Sequence, residues 1–353
     1  MSVPAAQGSA ESAVGMPTRE RLNPLAGDKR RSAIVHAGAL LAHGALALLA
    51  ACVSIVLTTP DLSDFGRSAW LLALPPLWAV LAWLNHAELS RLHEAAHGML
   101  ARHRWANELL GVLIGTLSLT PLSVYRYVHH QHHAYLGGPR DPEFWPYNMP
   151  NAPRWLRLGY SWAELAVGWI VTPALYSLRT ARAWGTIAPH QRRRLALEWT
   201  LLVVVWAAAI GLVAARGWWT IFAAAHLVPA WLTGIMQTIR KFTEHLGMHG
   251  DSILTMTRTV VYTGPVGRAA SRSQLHVEHH GTHHRWARIP YHRLPEATRV
   301  VYGEEGSGPV FPTHWAAVRD MLPHLRDPRV GPQWRTPARP EAVVQPDRSG
   351  RDR

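Results

Sequence analysis

Histidines at the spacing of metal ligands are concentrated in three short clusters of this 353-residue chain. Neutral imidazole is the commonest side-chain ligand for transition metals, and residues three or four apart share one face of a helix. Packing alone does not require so many imidazoles at these spacings. The three clusters and one further histidine provide the candidate metal ligands: His93, His97, His129, His132, His133, His245, His276, His279 and His280.

The number and chemistry of these candidates predict two metal ions rather than one. Nine histidines are too many for one ion, whereas two ions with four or five nitrogens each use them all. Iron is redox-active and suits imidazole, and the single cysteine, Cys52, excludes an iron–sulfur cluster or a cysteine-rich zinc site. The segment His93-Glu-Ala-Ala-His97 also has the HExxH spacing of zinc peptidases, which leaves a one-zinc enzyme as an alternative.

Carboxylates near the clusters are candidates for orienting the ligands, because metal-bound imidazoles usually donate their second N–H to such a group. These outer residues are Glu94, Glu244, Glu278, Asp141 and Glu143. His130, His283 and His284 lie beside the clusters but out of register, so we interpret them as non-ligands. His226 lies in an apolar stretch and is a candidate substrate-channel residue, because ionisable side chains within membranes are usually functional.

Long apolar stretches indicate a membrane protein. At ~1.5 Å per residue, such helices cross most of a hydrocarbon core of ~30 Å. Basic residues precede the first stretch, crowd residues 179–194 and follow the last stretch, which by the positive-inside rule places both termini and all the histidine clusters on the cytoplasmic side. We expect an all-α integral membrane protein with about four transmembrane helices in two hairpins and a cytoplasmic histidine-rich cap. The expected spans are residues 33–57, 69–84, 195–215 and 218–239.

The segments outside these stretches suggest one domain with two tails. Residues 1–31 and 326–353 are rich in polar, charged or proline residues, so we expect them to be disordered around a domain of residues 32–325. Residues 109–124 are apolar but short, which leaves re-entrant, interfacial and buried placements open. The net charge of +13 is concentrated beside apolar stretches and accompanies no nucleic-acid-binding motif, so we expect no nucleic-acid partner.

The three clusters resemble the histidine boxes of the membrane-bound fatty acid desaturase and hydroxylase superfamily, and the resemblance covers roughly residues 33–300. In that family, boxes of the form HxxxH, HxxHH and HxxHH hold a diiron centre at the cytosolic face of a helical bundle. The boxes correspond to positions 93–97, 129–133 and 276–280, and His245 corresponds to a further ligand after the last span. The chain departs from the pattern after the third box, where residues 281–288 precede the expected proline.

The resemblance implies an O2-dependent oxidoreductase with two iron ions that desaturates or hydroxylates an unactivated C–H position of a fatty acyl or other lipid substrate. It also implies a separate electron donor, a ferredoxin or similar protein with its reductase, because the chain has no recognisable fused haem-binding motif. A zinc metallopeptidase and a non-catalytic metal-binding relative are the alternatives. The oxidoreductase is favoured because a peptidase would leave most of the clustered histidines unexplained.

Overall fold

The described part of the chain is mostly helical, with very little strand. A computed structural model describes residues 18–26, 33–57, 64–304 and 308–335. Two strands of two residues each, β1 (Thr259–Val260) and β2 (Val310–Phe311), pair in parallel. The α-helices of the described residues are α1 Thr18–Ala26, α2 Ala33–Leu57, α3 Asp64–Ala96, α4 Arg104–Leu117, α5 Leu122–Tyr135, α6 Arg154–Arg182, α7 Pro189–Arg216, α8 Trp219–Phe222, α9 Val228–His245, α10 Pro265–Ser273, α11 His280–Arg285, α12 Leu294–Glu304 and α13 His314–Met321.

Among the residues that the structure describes, three helices are long and apolar enough to cross a membrane. They are α2, α7 and the continuous helix Trp219–His245, in which a π-turn joins α8 to α9. Large apolar side chains on these helices face outward, with Leu41 77% and Val204 59% exposed. Exposed apolar surface of this extent suits lipid rather than water. These features confirm the expected class, an all-α membrane protein.

The individual spans differ from the expected ones in one place. The expected stretch of residues 69–84 lies within α3, which is not among the membrane-crossing helices found in the described residues. Pro75, Pro76 and the polar residues near Glu88 reduce the apolar character of α3. A fourth crossing arises instead if α4 and α5, which meet at an angle of 98°, are counted as one broken span. The side of the membrane on which the helix ends lie stays a prediction.

The described structure extends past the expected domain of residues 32–325 at both ends. Leu22 of α1 is 1% exposed and packs in the same core as Leu294 and Ala297 of α12, so residues 18–26 form a docked helix. Val330 is fully buried and its N–H donates to the carbonyl of Tyr147 at 3.1 Å. The rest of the two expected tails, residues 1–17, 27–31 and 336–353, lies outside the described residues.

Helix α9 is central to the bundle and packs against α3 and α6. Gly234 allows the close approach of α6, because a Cβ atom at this position would lie 2.7 Å from the backbone nitrogen of Trp169. A buried ion pair joins the same two helices, with Lys241 Nζ 2.5 Å from Glu164 Oε1. Helix α3 also packs against α5, which places the second histidine cluster beside the end of α3.

Candidate metal centre

The histidine clusters lie where helices begin or end. His93 is in the last turn of α3 and His97 directly follows that helix, while His245 is the last residue of α9. Helix α5 carries the second cluster in its C-terminal half, and α11 begins at His280. Because these helix ends meet inside the protein, histidines from four segments come within reach of one another.

The first group contains five histidines whose ligand nitrogens all lie within 4.8 Å of one another. Two short contacts define its centre: His133 Nε2 lies 3.1 Å from His129 Nε2 and 3.1 Å from His283 Nε2. His129 and His133 are four residues apart on α5, so they share one face of the helix. The members of group one are His93, His97, His129, His133 and His283.

The second group lies beside the first and contains four buried histidines, again with ligand nitrogens within 4.8 Å. His280 Nε2 lies 2.7 Å from His245 Nε2. The ring of His284 stacks on that of His133 at a centroid distance of 4.1 Å, so the two groups are in direct contact. The members of group two are His132, His245, His280 and His284.

Seven of the nine histidines singled out in the sequence therefore lie in the two groups, and two do not. His276 and His279 lie in a separate cluster with Glu278, whereas His283 and His284, interpreted above as non-ligands, occupy the corresponding places. The reason is the course of the backbone. Residues 276–279 form a turn, and only from His280 onward does the chain become helical, so positions 280, 283 and 284 share one face of α11.

The sequence contained a signal for this arrangement. The chain has two overlapping HxxHH patterns, at residues 276–280 and 280–284, which share His280. Spacing does not distinguish them, since both place an imidazole pair at the same separation. The second pattern lies inside a helix and the first does not.

The two groups suit metal ions by their chemistry. Seven of their nine histidines are buried and His97 and His133 are partly buried, and the Nε2 atoms of His93, His97 and His284 have no hydrogen-bond partner among the described residues. Burial lowers the pKa of these three rings well below the usual value, which keeps them in the neutral form that binds metals. Two nitrogens bound at ~2.0–2.1 Å to one ion lie at most ~4.2 Å apart, which matches the crowding of these rings.

Carboxylates contact several of the rings at Nδ1, the nitrogen that points away from the groups. Asp141 Oδ2 lies 2.8 Å from His132 Nδ1, Glu143 Oε2 3.4 Å from His129 Nδ1 and Glu94 Oε1 3.3 Å from His93 Nδ1. Glu244 lies 3.5 Å from Nδ1 of His280. In each pair the contact is at Nδ1, which leaves Nε2 to face the group. Glu278 differs, because its contacts are with the separate cluster of His276 and His279.

Burial raises the pKa of one of these carboxyl groups, that of Glu94. Glu94 is 3% exposed, and loss of water around its carboxyl raises its pKa to about 8. Its Oε2 accepts a hydrogen bond from the backbone N–H of Tyr291 at 3.3 Å. Both oxygens of Glu94 are therefore occupied by protein groups, which does not favour the role of a water-activating base in a zinc peptidase.

Comparison with known protein families gives a match over most of the chain. The model of the family described as Fatty acid desaturase matches residues 68–315. The chain belongs to the fatty acid desaturase family. This result confirms the resemblance noted in the sequence.

Two relatives give local matches to this desaturase-family protein. It is 33% identical over 63 residues to a Delta(9) fatty acid conjugase-like enzyme of Dimorphotheca sinuata. It is 40% identical over 64 residues to fatty acid conjugase FAC2 B of Calendula officinalis. Each match covers 17% of this chain and 17% of the relative, so the similarity extends over a small part of their lengths.

A cavity of about 110 Å³ leads from the membrane helices of this desaturase-family protein toward group one. His226, the candidate channel residue, lines it within the π-turn, together with Ala230 and Thr172. At the other end the wall contains Tyr125, whose ring stacks on that of His129 at 5.2 Å and 9°. No sequence pattern points to Tyr125, because its position beside group one depends on this stacking contact.

Proposed function

We propose that this protein is a membrane-bound oxidoreductase that desaturates, or hydroxylates, an unactivated C–H position of a fatty acyl chain. The observation that carries the proposal is the pair of adjacent, largely buried histidine groups next to a mostly apolar cavity, in a member of the fatty acid desaturase family. Both relatives have names that refer to fatty acids, which supports an acyl substrate. Two iron ions, reduced by a separate electron donor and supplied with O2, would provide the oxidising power for such a bond.

We assign the ligands of the two ions to groups one and two. This replaces His276 and His279 of the sequence-based set with His283 and His284. The assignment also accounts for the apparent departure after the third box, because Pro290 follows His284 within a few residues, as the family pattern leads one to expect. The carboxylates behind the rings fix their orientation, and Asp141, Glu143, Glu94 and Glu244 take this role.

The residues around the cavity would position the substrate. Its wall is formed by side chains such as Leu92, Ala230 and Tyr176, which exclude water from the space where an acyl chain would lie. The hydroxyl of Tyr176 donates a hydrogen bond to Glu143, which in turn contacts His129. The cavity wall and group one are therefore connected through a rigid set of contacts, so an acyl chain held there would be fixed relative to group one.

The proposal also covers the orientation in the membrane and the source of electrons. The histidine groups and both termini lie on the cytoplasmic side, as the distribution of basic residues suggests. Electrons then come from a cytoplasmic ferredoxin or similar protein with its reductase. The zinc peptidase alternative is not favoured, because its motif uses only two of the nine grouped histidines.

The decisive experiment is metal analysis combined with a product assay. The full-length protein would be purified in detergent, iron and zinc counted separately, and acyl products analysed by gas chromatography with a ferredoxin donor system. We expect about two irons per chain. The pair His283→Ala and His284→Ala should lose iron and activity, while the pair His276→Ala and His279→Ala should retain iron. Iron lost in the second pair and kept in the first would refute the ligand assignment.

A further inference from the structure

A third cluster of metal-binding side chains lies outside the two groups that the proposed function uses. It contains His276, Glu278 and His279, whose ligand atoms all lie within 4.8 Å of one another. Glu278 is 8% and His279 5% exposed. Neither histidine contributes a ligand atom to group one or group two, so the iron centre does not explain why these side chains converge.

The contacts of His279 match those of a metal ligand. Its Nδ1 forms a 2.9 Å hydrogen bond with Thr298 Oγ1, which fixes the ring and leaves Nε2 directed at the cluster. Nε2 lies 4.0 Å from Glu278 Oε1. This distance is too long for a hydrogen bond. It falls within the separation of two ligands bound to one ion at ~2.0–2.2 Å.

Ser271 completes the surroundings. Its hydroxyl lies 2.6 Å from His276 Nδ1 and also forms a short hydrogen bond with Glu278. A single hydroxyl has one proton; it donates this proton to Glu278 Oε1 and accepts from the Nδ1–H of His276, which leaves Nε2 of that ring as its ligand atom. Two imidazoles, one carboxylate and a hydroxyl form a nitrogen and oxygen donor set of the kind found in zinc sites with two histidines and a glutamate.

The backbone holds the cluster in an uncommon conformation. Leu275 and His276 both have positive φ, 58° and 53°, although neither is glycine. Such residues cost energy and occur most often at functional sites. The turn is closed by the His276 N–H, which donates to the Ser271 carbonyl at 2.8 Å, and by the His279 N–H, which donates to the His276 carbonyl at 3.1 Å.

We propose that His276, Glu278 and His279 bind one divalent transition-metal ion, zinc by their donor set, separate from the two ions of groups one and two. The ion stabilises the turn of residues 275–279 directly before α11. Because His280 opens α11 and belongs to group two, the bound ion would hold the start of that helix in place.

The test measures zinc and iron separately in the full-length protein after purification in detergent and passage over a chelating resin. His276→Ala removes one ligand, and Glu278→Gln keeps the size of the side chain while removing its charge. His314→Ala is the matched control, because His314 lines the cavity beside Glu278 but is not part of the cluster. Substitution of cobalt(II) for zinc gives a visible spectrum that reports coordination independently of activity.

We expect about one zinc per chain in the wild type and in His314→Ala, with both cluster variants losing it and keeping their iron. The retained iron shows that the variants are folded. The inference is overturned if the wild type takes up no zinc or cobalt, if both variants keep the same zinc as the wild type, or if zinc and iron are lost together. A wild type that holds zinc but no iron would contradict the proposed function and leave this site supported.

Discussion

Replacement of Asp141 by asparagine tests whether the carboxylates behind the histidine rings are needed to hold a metal. Asp141 is 2% exposed, and its carboxylate accepts three hydrogen bonds. Its Oδ2 lies 2.8 Å from both His132 Nδ1 and the backbone nitrogen of Gly137, and its Oδ1 accepts the N–H of Glu143 at 2.9 Å. Asparagine has a single side-chain oxygen, so at least one of these donors would face an amide NH2.

The expected loss follows from these contacts. A hydrogen bond to a charged group contributes about 1.5–3 kcal/mol, and a buried donor left without a partner costs about 1–3 kcal/mol. We therefore expect Asp141→Asn to lower the free energy of unfolding by about 3 kcal/mol. Loss of the partner that orients His132 should weaken metal binding at group two by about 10–100-fold.

The assay is iron retention at increasing chelator concentration, together with thermal unfolding in detergent. Asp251→Asn is a suitable control, because that carboxylate is exposed and pairs only with the exposed Arg335 in the described structure. The reasoning is refuted if Asp141→Asn retains iron at the same chelator concentration as the wild type and unfolds at the same temperature.

Three further substitutions test other parts of the structure. Lys241→Met removes the positive charge 2.5 Å from the fully buried carboxylate of Glu164, so the free energy of unfolding should fall by about 3–5 kcal/mol. Glu164→Gln in the same chain should restore most of this loss, as measured by thermal unfolding. Ala230→Leu fills part of the cavity, so the enzyme should shift toward shorter acyl chains in competition assays, and an unchanged chain-length profile would contradict the channel assignment. The Glu198 carboxylate accepts both the backbone N–H and the hydroxyl of Ser123, each at 2.7 Å, at the start of α5. Glu198→Gln removes the charge from this cap, so the free energy of unfolding should fall by about 1–2 kcal/mol. An unaltered melting temperature would show that this contact does not cap the helix.

Much of the helical architecture could be predicted from hydropathy and charge. Long apolar stretches predicted α2, α7 and the helix Trp219–His245 because a membrane core demands continuous apolar length. The bend between α4 and α5 could not be predicted in the same way. It depends on Leu119, which has a φ of 58°, and on the Glu198 carboxylate from a distant helix that caps α5. Neither the backbone conformation of Leu119 nor the contact with Glu198 produces a local pattern in the sequence.

The ends of the described structure show a related limit. Residues 18–26 are polar enough to resemble a disordered tail, yet α1 docks through Leu22 onto α12. One buried leucine in a nine-residue helix gives a weak periodic signal, and an isolated helix of this length is not stable in water. Its stability comes from α12, which begins at Leu294, 272 positions after Leu22 in the chain.

The register of the third histidine box shows why spacing alone does not determine which imidazoles lie in the two groups. The helix that selects residues 280–284 is only six residues long and begins without a side-chain cap, so local propensity cannot determine where it starts. Contacts with distant residues determine it instead. The Gly281 N–H donates to Thr259 Oγ1 at 2.9 Å, and a side chain at position 281 would collide with Tyr302 and Thr257. A residue without a side chain is needed where α11 approaches Thr257, Thr259 and Tyr302 this closely, and this tertiary packing, which has no local sequence pattern, holds the start of the helix that carries His280, His283 and His284.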